Sequence, residues 1–316
     1  MYYIGVDLGG THMAVGVVDA GGTIIAKAET PTLPQRPYQE LVADMVKCMY
    51  TAMEKANVKE DEIASVGIGI PGVADRNGVV VFCTNLGWHD IPLREEIQKH
   101  INKPVFIDND ANVAGWAEYA AGVSRNTDTS VFLTLGTGVG AGIIINGKLW
   151  AGRHNVAAEY GHIIINADNG EKCTCGKTGC TERYCSATAI IRMGREACEK
   201  NPDCLLMQRC GGDVNKLNAK HVIDAAKEGD AIATGVFNRY AEYLTIAVNN
   251  VISFLDPDMI VLGGGVSHAG EFLLNAVRER LPKYLMFKTL PYAELRQAKL
   301  GNDAGFIGAA LLGINQ

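Results

Sequence analysis

Three cysteines fall within eight positions in Cys173-Thr-Cys-Gly-Lys-Thr-Gly-Cys180, and His162 precedes them by one short segment. Two glycines in the run let the backbone wrap around one point, and soft sulfur plus imidazole in fourfold number favours Zn²⁺. A redox pair is more typically C-x-x-C near a helix start, which Cys173-x-Cys175 is not. A disulfide is the other alternative, and the rest of the chain weakens it. Nine cysteines is an odd number, and six of them (Cys48, Cys83, Cys185, Cys198, Cys204, Cys210) have no paired spacing. The start, Met1-Tyr-Tyr-Ile-Gly-Val-Asp-Leu8, has neither a basic n-region nor a cleavable apolar run, so a reducing cytoplasm is the expected compartment. Against the plain alternative of reduced, unliganded thiols, His162, Cys173, Cys175 and Cys180 are expected to hold zinc. Four protein ligands leave no open position, which makes the metal structural.

Two glycine corners follow apolar strand-like runs: Gly9-Gly10-Thr11 and Gly136-Thr137-Gly138. Each presents backbone N–H groups and a threonine hydroxyl with no side chain in the way, which are the donors an anionic phosphate needs. A hairpin turn explains either corner alone. Two in register, with Gly263-Gly264-Gly265 at a third strand end, shift the balance toward a nucleotide. Neither fits the P-loop pattern. Gly136-Thr-Gly-Val-Gly-Ala141 does satisfy the dinucleotide fingerprint, with Glu159 about 20 residues on as that motif requires. Such a corner must open a helix, however, and Gly142-Ile-Ile-Ile-Asn-Gly147 continues as β-branched strand and turn.

Asp110 ends Pro104-Val-Phe-Ile-Asp-Asn-Asp110, a strand running into the helix Asn112-Val-Ala-Gly-Trp-Ala-Glu-Tyr-Ala-Ala-Gly122. An N-cap role explains it. So does service as a base, because a helix N-terminus keeps a carboxylate ionised and ready to accept a hydroxyl proton.

The elements that must position these groups are those of an α/β protein. Residues 2–8, Met13-Ala-Val-Gly-Val-Val-Asp19 and Gly22-Thr-Ile-Ile-Ala-Lys-Ala-Glu-Thr30 read as a strand meander. Leu41, Val42, Met45, Val46, Met49 and Met53 mark one face of a helix over 38–58. The second half restarts the same way: Val6-Asp-Leu-Gly-Gly-Thr11 falls on Leu133-Thr-Leu-Gly-Thr-Gly138, with a glycine turn after each. An internal duplication is expected, giving two related α/β lobes that face a ligand cleft. The first lobe is read as 1–121 with a C-terminal helix 303–316 packing back on it; the second, 122–302, carries the cysteine motif. Residues 186–256 are mainly helical by pattern.

With 29 Lys plus Arg against 35 Asp plus Glu, the chain carries net charge −6 and has no basic block to track a phosphate backbone, which argues against nucleic acid. Its most apolar stretch is interrupted by Asn249, Asn250, Asp256 and Asp258, too soon for a membrane helix.

Taken together, Asp7-Leu-Gly-Gly-Thr11, Gly69-Ile-Pro-Gly72, Asn109-Asp110, Leu135-Gly-Thr-Gly138, Glu159-Tyr-Gly-His162, Cys173-x-Cys-Gly-x-x-Gly-Cys-x-Glu182 and Gly263-Gly-Gly265 resemble the ROK family of sugar kinases and repressors. The resemblance runs nearly the whole chain and implies the two-lobed actin-like ATPase (ribonuclease H-like) fold. It implies that Asp110 is the catalytic base and that Gly72, Asn85, Asn109, Glu159, His162 and Glu182 hold sugar hydroxyls. Asp7, Gly9, Gly10, Thr11, His12, Thr137, Gly138 and Gly264 would serve ATP and its Mg²⁺. His12 departs from the Lys or Asn common after Gly-Gly-Thr, which touches only the finer nucleotide contacts. The implied reaction is transfer of the ATP γ-phosphate to the C6 hydroxyl of a hexose, with glucose preferred, by a homodimer or tetramer. N-acetylmannosamine, N-acetylglucosamine, allose, mannose and fructose are the alternative sugars. A non-catalytic sugar sensor is a rival class, against which stand Asp110 and the start of the phosphate corner at residue 7, with no space before it for a helix-turn-helix.

Overall fold

The computed structural model describes residues 1–314. In chain order it begins with β1 (Tyr2–Leu8), β2 (His12–Asp19), β3 (Ile24–Pro31), α1 (Tyr38–Ala56) and β4 (Ile63–Ile70). The short strands β5 (Val73–Ala74), β6 (Val80–Cys83) and β7 (Trp88–Ile91) follow, then α2 (Leu93–Gln98), β8 (Val105–Asn109) and α3 (Asp110–Ala120). After β9 (Thr129–Leu135), β10 (Val139–Ile145) and β11 (Lys148–Leu149) comes the helical run α4 (Glu182–Cys185), α5 (Ala187–Lys200), α6 (Leu205–Arg209), α7 (Ala219–Lys227) and α8 (Ala231–Leu255). The chain closes with β12 (Met259–Gly263), α9 (Glu271–Arg280), β13 (Glu294–Gln297) and α10 (Ala304–Leu311).

Two five-stranded sheets form, in the orders β3-β2-β1-β4-β8 and β11-β10-β9-β12-β13. The pattern is the same in both: a meander of three strands whose first member also pairs with a later strand. β1 meets β2 antiparallel, through the register Tyr2 to Asp19 up to Leu8 to Met13, and β4 parallel. This matching order is what the sequence repeat anticipates, since two copies of one pattern bury the same alternation of side chains.

Contacts group the chain into two compact units. One holds Met1–Phe132, Gly142–Ala158 and the chain from Lys299 on; the other holds Leu133–Ala141 and Glu159–Ala298. In the first unit, β4 buries seven of its eight residues and β1 four of its seven with none exposed, as befits strands covered on both faces. On one face lies α1, which turns Leu41, Val42, Met45, Val46, Met49 and Met53 into the core and stops at Asn57, in the left-handed region at φ 53°. The other face is taken by α10. A Cβ on Gly5 would fall 1.8 Å from the Phe306 carbonyl oxygen, and one on Gly67 would fall 1.7 Å from that of Ala309, so glycine lets the helix backbone rest on the strands. Positions 315 and 316 of the helix expected over 303–316 lie outside the described residues.

Buried Glu118 ties α3 to the returning chain. Its Oε1 accepts from the Lys299 and Leu300 N–H groups at 2.8 Å each, and its Oε2 from Val123 N–H at 3.0 Å. Three backbone donors satisfy a carboxylate that burial would otherwise penalise. In the second unit, α5, α7 and α8 form a helical layer capped by Ser186, Asn218 and Asp230, each accepting from an N–H of the first helical turn. No helix among the described residues is long and apolar enough to cross a membrane.

Candidate active site

In the first unit the phosphate-type corner is the β1–β2 turn. Gly9 N–H donates to the His12 carbonyl at 3.0 Å, and buried Thr32 fixes the turn from the side. The Thr32 hydroxyl donates to Gly9 O at 2.7 Å while its N–H donates to Thr11 O at 2.9 Å. Thr11 and His12 remain exposed. Asp7 sits two residues before the turn, and burial pushes its carboxyl above the usual carboxylate range. That is the setting in which a cation stabilises the ionised form. The Asn85 turn adjoins the corner: a Cβ on Gly10 would stand 3.5 Å from the Asn85 Cβ.

The end of β8 carries the second group. Asn109, not Asp110, is the N-cap of α3; its Oδ1 accepts from Ala111 N–H at 2.9 Å and Asn112 N–H at 3.3 Å. Its Nδ2 donates to the Gly72 carbonyl at 3.3 Å, which links the cap to the turn after β4. Asp110 is therefore the first residue of the helix, with its Oδ1 on Ala111 N–H at 2.8 Å. Burial raises the Cys83 thiol, the Leu86 and Asn85 N–H groups partly offset this, and the Asp110 charge raises it further. Gly72, Asn109 and Asp110 are thus brought together. Sequence reasoning missed Asp108, whose Oδ1 accepts from Asn109 N–H at 2.7 Å and from Asn112 Nδ2 at 2.8 Å, bracing the strand-to-helix junction.

In the second unit, β9 and β10 meet at Gly136-Thr137-Gly138. β10 is a strand and not a helix, so the dinucleotide fingerprint fails on structure as it did on pattern. The corner is held by the segment after the cysteine run. Ala187 N–H donates to Gly136 O at 2.8 Å, the Thr188 hydroxyl donates to Thr137 O at 2.8 Å, and Val139 N–H donates to Glu182 Oε2 at 3.2 Å. Gly264, at φ 76°, packs its Cα against the end of β9; a Cβ there would lie 2.6 Å from the Leu135 backbone.

The knuckle lies beside it. The ligand atoms of His162, Cys173, Cys175 and Cys180 all fall within 4.8 Å of one another. Sγ of Cys173 is 3.6 Å from His162 Nδ1, and Sγ of Cys175 is 3.7 Å from that of Cys180. Cys173 N–H donates to Lys177 O and Gly176 N–H to Cys173 O, closing a tight turn around the sulfurs, while Lys177 Nζ donates to the His162 carbonyl at 2.8 Å. Burial, with the neighbouring thiols, pushes Cys180 up to about 12, a state that a dication among the sulfurs would relieve. Spacing, donor set and crowding all fit a metal. Exposed Glu159 opens the 3₁₀ turn Tyr160–His162, which the Tyr160 hydroxyl anchors by donating to the Ala247 carbonyl.

Residues 3–316 match the ROK family. The chain belongs to the ROK family. Among ROK proteins it is 39% identical over 309 residues to a glucokinase of Thermotoga maritima, covering 97% of this chain and 95% of that one. It is 36% identical to a glucokinase of Halalkalibacterium halodurans, covering 98% and 94%. A solved ROK glucokinase of Streptomyces griseus, in complex with glucose and AMPPNP, superposes with TM-score 0.84 at 35% identity over 100% of both chains. The xylose repressor of Bacillus spizizenii is 29% identical over 97% of this chain and 75% of its own length. The fold of this ROK chain is accordingly that of the two-lobed kinases of the family.

Proposed function

We propose that this chain is an ATP-dependent hexose kinase that converts glucose to glucose 6-phosphate. The observation that carries the reading is near-full-length identity to glucokinases, extended by the likeness to a solved glucokinase that holds glucose and an ATP analogue. Asp110 accepts the C6 hydroxyl proton as that oxygen attacks the γ-phosphorus in line and ADP leaves, a reaction in which positioning and electrostatics supply most of the rate. Capping by Asn109 supports this role, because the helix start is satisfied without requiring Asp110 to cap it. Gly72, Asn85, Asn109, Glu159, His162 and Glu182 hold sugar hydroxyls. His162 Nδ1 faces the thiols, which leaves Nε2 for a hydroxyl.

Asp7, Gly9, Gly10, Thr11 and His12 serve the phosphates from one corner, and Thr137, Gly138 and Gly264 serve the nucleotide from the other. Mg²⁺, carried with ATP, offsets charge on the β- and γ-phosphates, and Asp7 is the carboxylate that would hold it. Zn²⁺ at His162, Cys173, Cys175 and Cys180 is structural. The enzyme works in the cytoplasm as a homodimer.

The test is ADP release with Mg-ATP against glucose, mannose, fructose, allose, N-acetylglucosamine and N-acetylmannosamine. The expected result is a kcat/KM for glucose at least about tenfold above the others, the discrimination that one mismatched polar contact produces. A preference for an N-acetylated sugar would move the assignment to that substrate. Turnover with none, from protein that binds ATP, would favour a sensor.

A further inference from the structure

Asp108 lies next to last in β8, two positions before Asp110. In the parallel register Gly69 pairs with Asp108 and Ile70 with Asn109, so β4 and β8 deliver the Gly72 turn and the Asn109-Asp110 pair side by side. At this end Asp108 Oδ1 receives two donors, Asn109 N–H at 2.7 Å and Asn112 Nδ2 at 2.8 Å. Asn109 Oδ1 in turn receives Asn112 N–H at 3.3 Å, and Asn109 Nδ2 reaches the Gly72 carbonyl at 3.3 Å. Asp108, Asn109 and Asn112 thus close a ring of hydrogen bonds that spans Asp110 from before it to after it. The far side of the ring is firmly seated: Asn112 is 2% exposed, and its neighbour Val113 sits against β4, where a Cβ on Gly69 would fall 2.8 Å from the Val113 Cγ2.

A carboxylate is a costly choice for this place. Burial raises the Asp108 carboxyl above the usual carboxylate range, and the hydrogen bonds from Asn112 and Asn109 act the other way. Arg76 and Arg94 line the same cavity of about 340 Å³, yet Arg94 is engaged elsewhere, donating through Nε to Val105 O at 2.9 Å and through Nη1 to Arg76 O at 3.1 Å. What the charge provides is strength, since a charged acceptor holds its donors about twice as firmly as a neutral one. Turning of the Asn109 peptide would swing both the cap amide and the residue after it, and a displacement of about 1 Å can cost about 10²-fold in rate. We infer that Asp108 is a positioning residue for the Asn109-Asp110 pair, holding the sugar contact and the base in place through the Asn109 N–H and the Asn112 side chain.

Steady-state kinetics with Mg-ATP and glucose, calorimetric titration of AMPPNP and thermal unfolding test this together. Asp108→Ala is expected to lower kcat/KM for glucose about 30-fold or more, the effect of losing hydrogen bonds to a charged acceptor, with kcat down and KM for glucose up. Its AMPPNP affinity stays within about twofold of wild type, as for an independent site. Asp108→Asn keeps an acceptor oxygen of the same reach without the buried charge, and is expected to fold and to recover kcat/KM to within about fivefold of wild type. Asp108→Ser, too short to reach Asn112 Nδ2, takes the place of the alanine variant if that one does not fold. Were Asp108 only a support for the fold, the alanine or serine variant would melt earlier yet turn over as wild type below its transition, which would overturn the inference. An asparagine variant as impaired as the alanine one, or an equal loss of AMPPNP affinity, would overturn it too. The inference rests on the kinase reading: wild-type protein that phosphorylates no sugar sinks that reading, whereas active wild type with unimpaired variants sinks only the role of Asp108.

Discussion

Replacing Asp110 with Asn lowers turnover by roughly 10²–10⁴-fold, the range for removal of a general base, while glucose binding changes little. The substitution keeps size and hydrogen-bonding shape, and the α3 cap does not depend on it, since Asn109 supplies the acceptor to Ala111 and Asn112. What is lost is the negative charge beside the strand-to-helix junction, and with it the proposed acceptor for the C6 proton. Single-turnover rates alongside equilibrium glucose titration check this. Turnover within tenfold of wild type would show that another group takes the proton.

Removal of the proposed zinc is expected to have the second large effect. Purified protein is expected to carry about one Zn²⁺ per chain, as a closed Cys3His site requires. Cys180→Ser deletes the most buried ligand, and metal content should fall below about one-tenth of wild type. The midpoint of thermal unfolding is expected to drop by at least about 5 °C, which about 2 kcal/mol produces in a domain of this size. That is a small part of the apparent binding free energy of a structural zinc site, about 10–16 kcal/mol in isolated peptides. Metal-free protein with an unchanged melting temperature and full activity would contradict the structural role.

The parts of this protein that could be read from sequence are those with strong periodicity or dense chemistry. The apolar face of α1, the β1–β2–β3 meander and its later counterpart, and the Cys3His set all announce themselves, because burial or ligation constrains several neighbouring residues at once. The small sheet of β5, β6 and β7 was invisible: its strands have two to four residues, too few for alternation, even though Ala74, Val80, Cys83 and Trp88 are buried while Phe82 and His89 meet at a tilt on its exposed side. β13, Glu294-Leu-Arg-Gln297, is an edge strand of mostly polar residues and gave no signal either. At the site, the identity of the cap was undecidable from Asn109-Asp110 alone, since both residue types cap well. Backbone geometry settles it in favour of Asn109. Glu182 illustrates another limit: its motif placed it near the cysteines, but its contact with Val139 spans 43 residues and depends on how the chain folds back.

The most direct test of the central claim is to identify the phosphorylated product. Purified protein, Mg-ATP and glucose, followed by ³¹P NMR with proton coupling, should yield ADP and one new phosphomonoester in equal amounts, its phosphorus split by the two C6 methylene protons. Inorganic phosphate in place of the ester, or an ester on any other carbon, would contradict a kinase that directs the C6 hydroxyl to the γ-phosphate through Asp110.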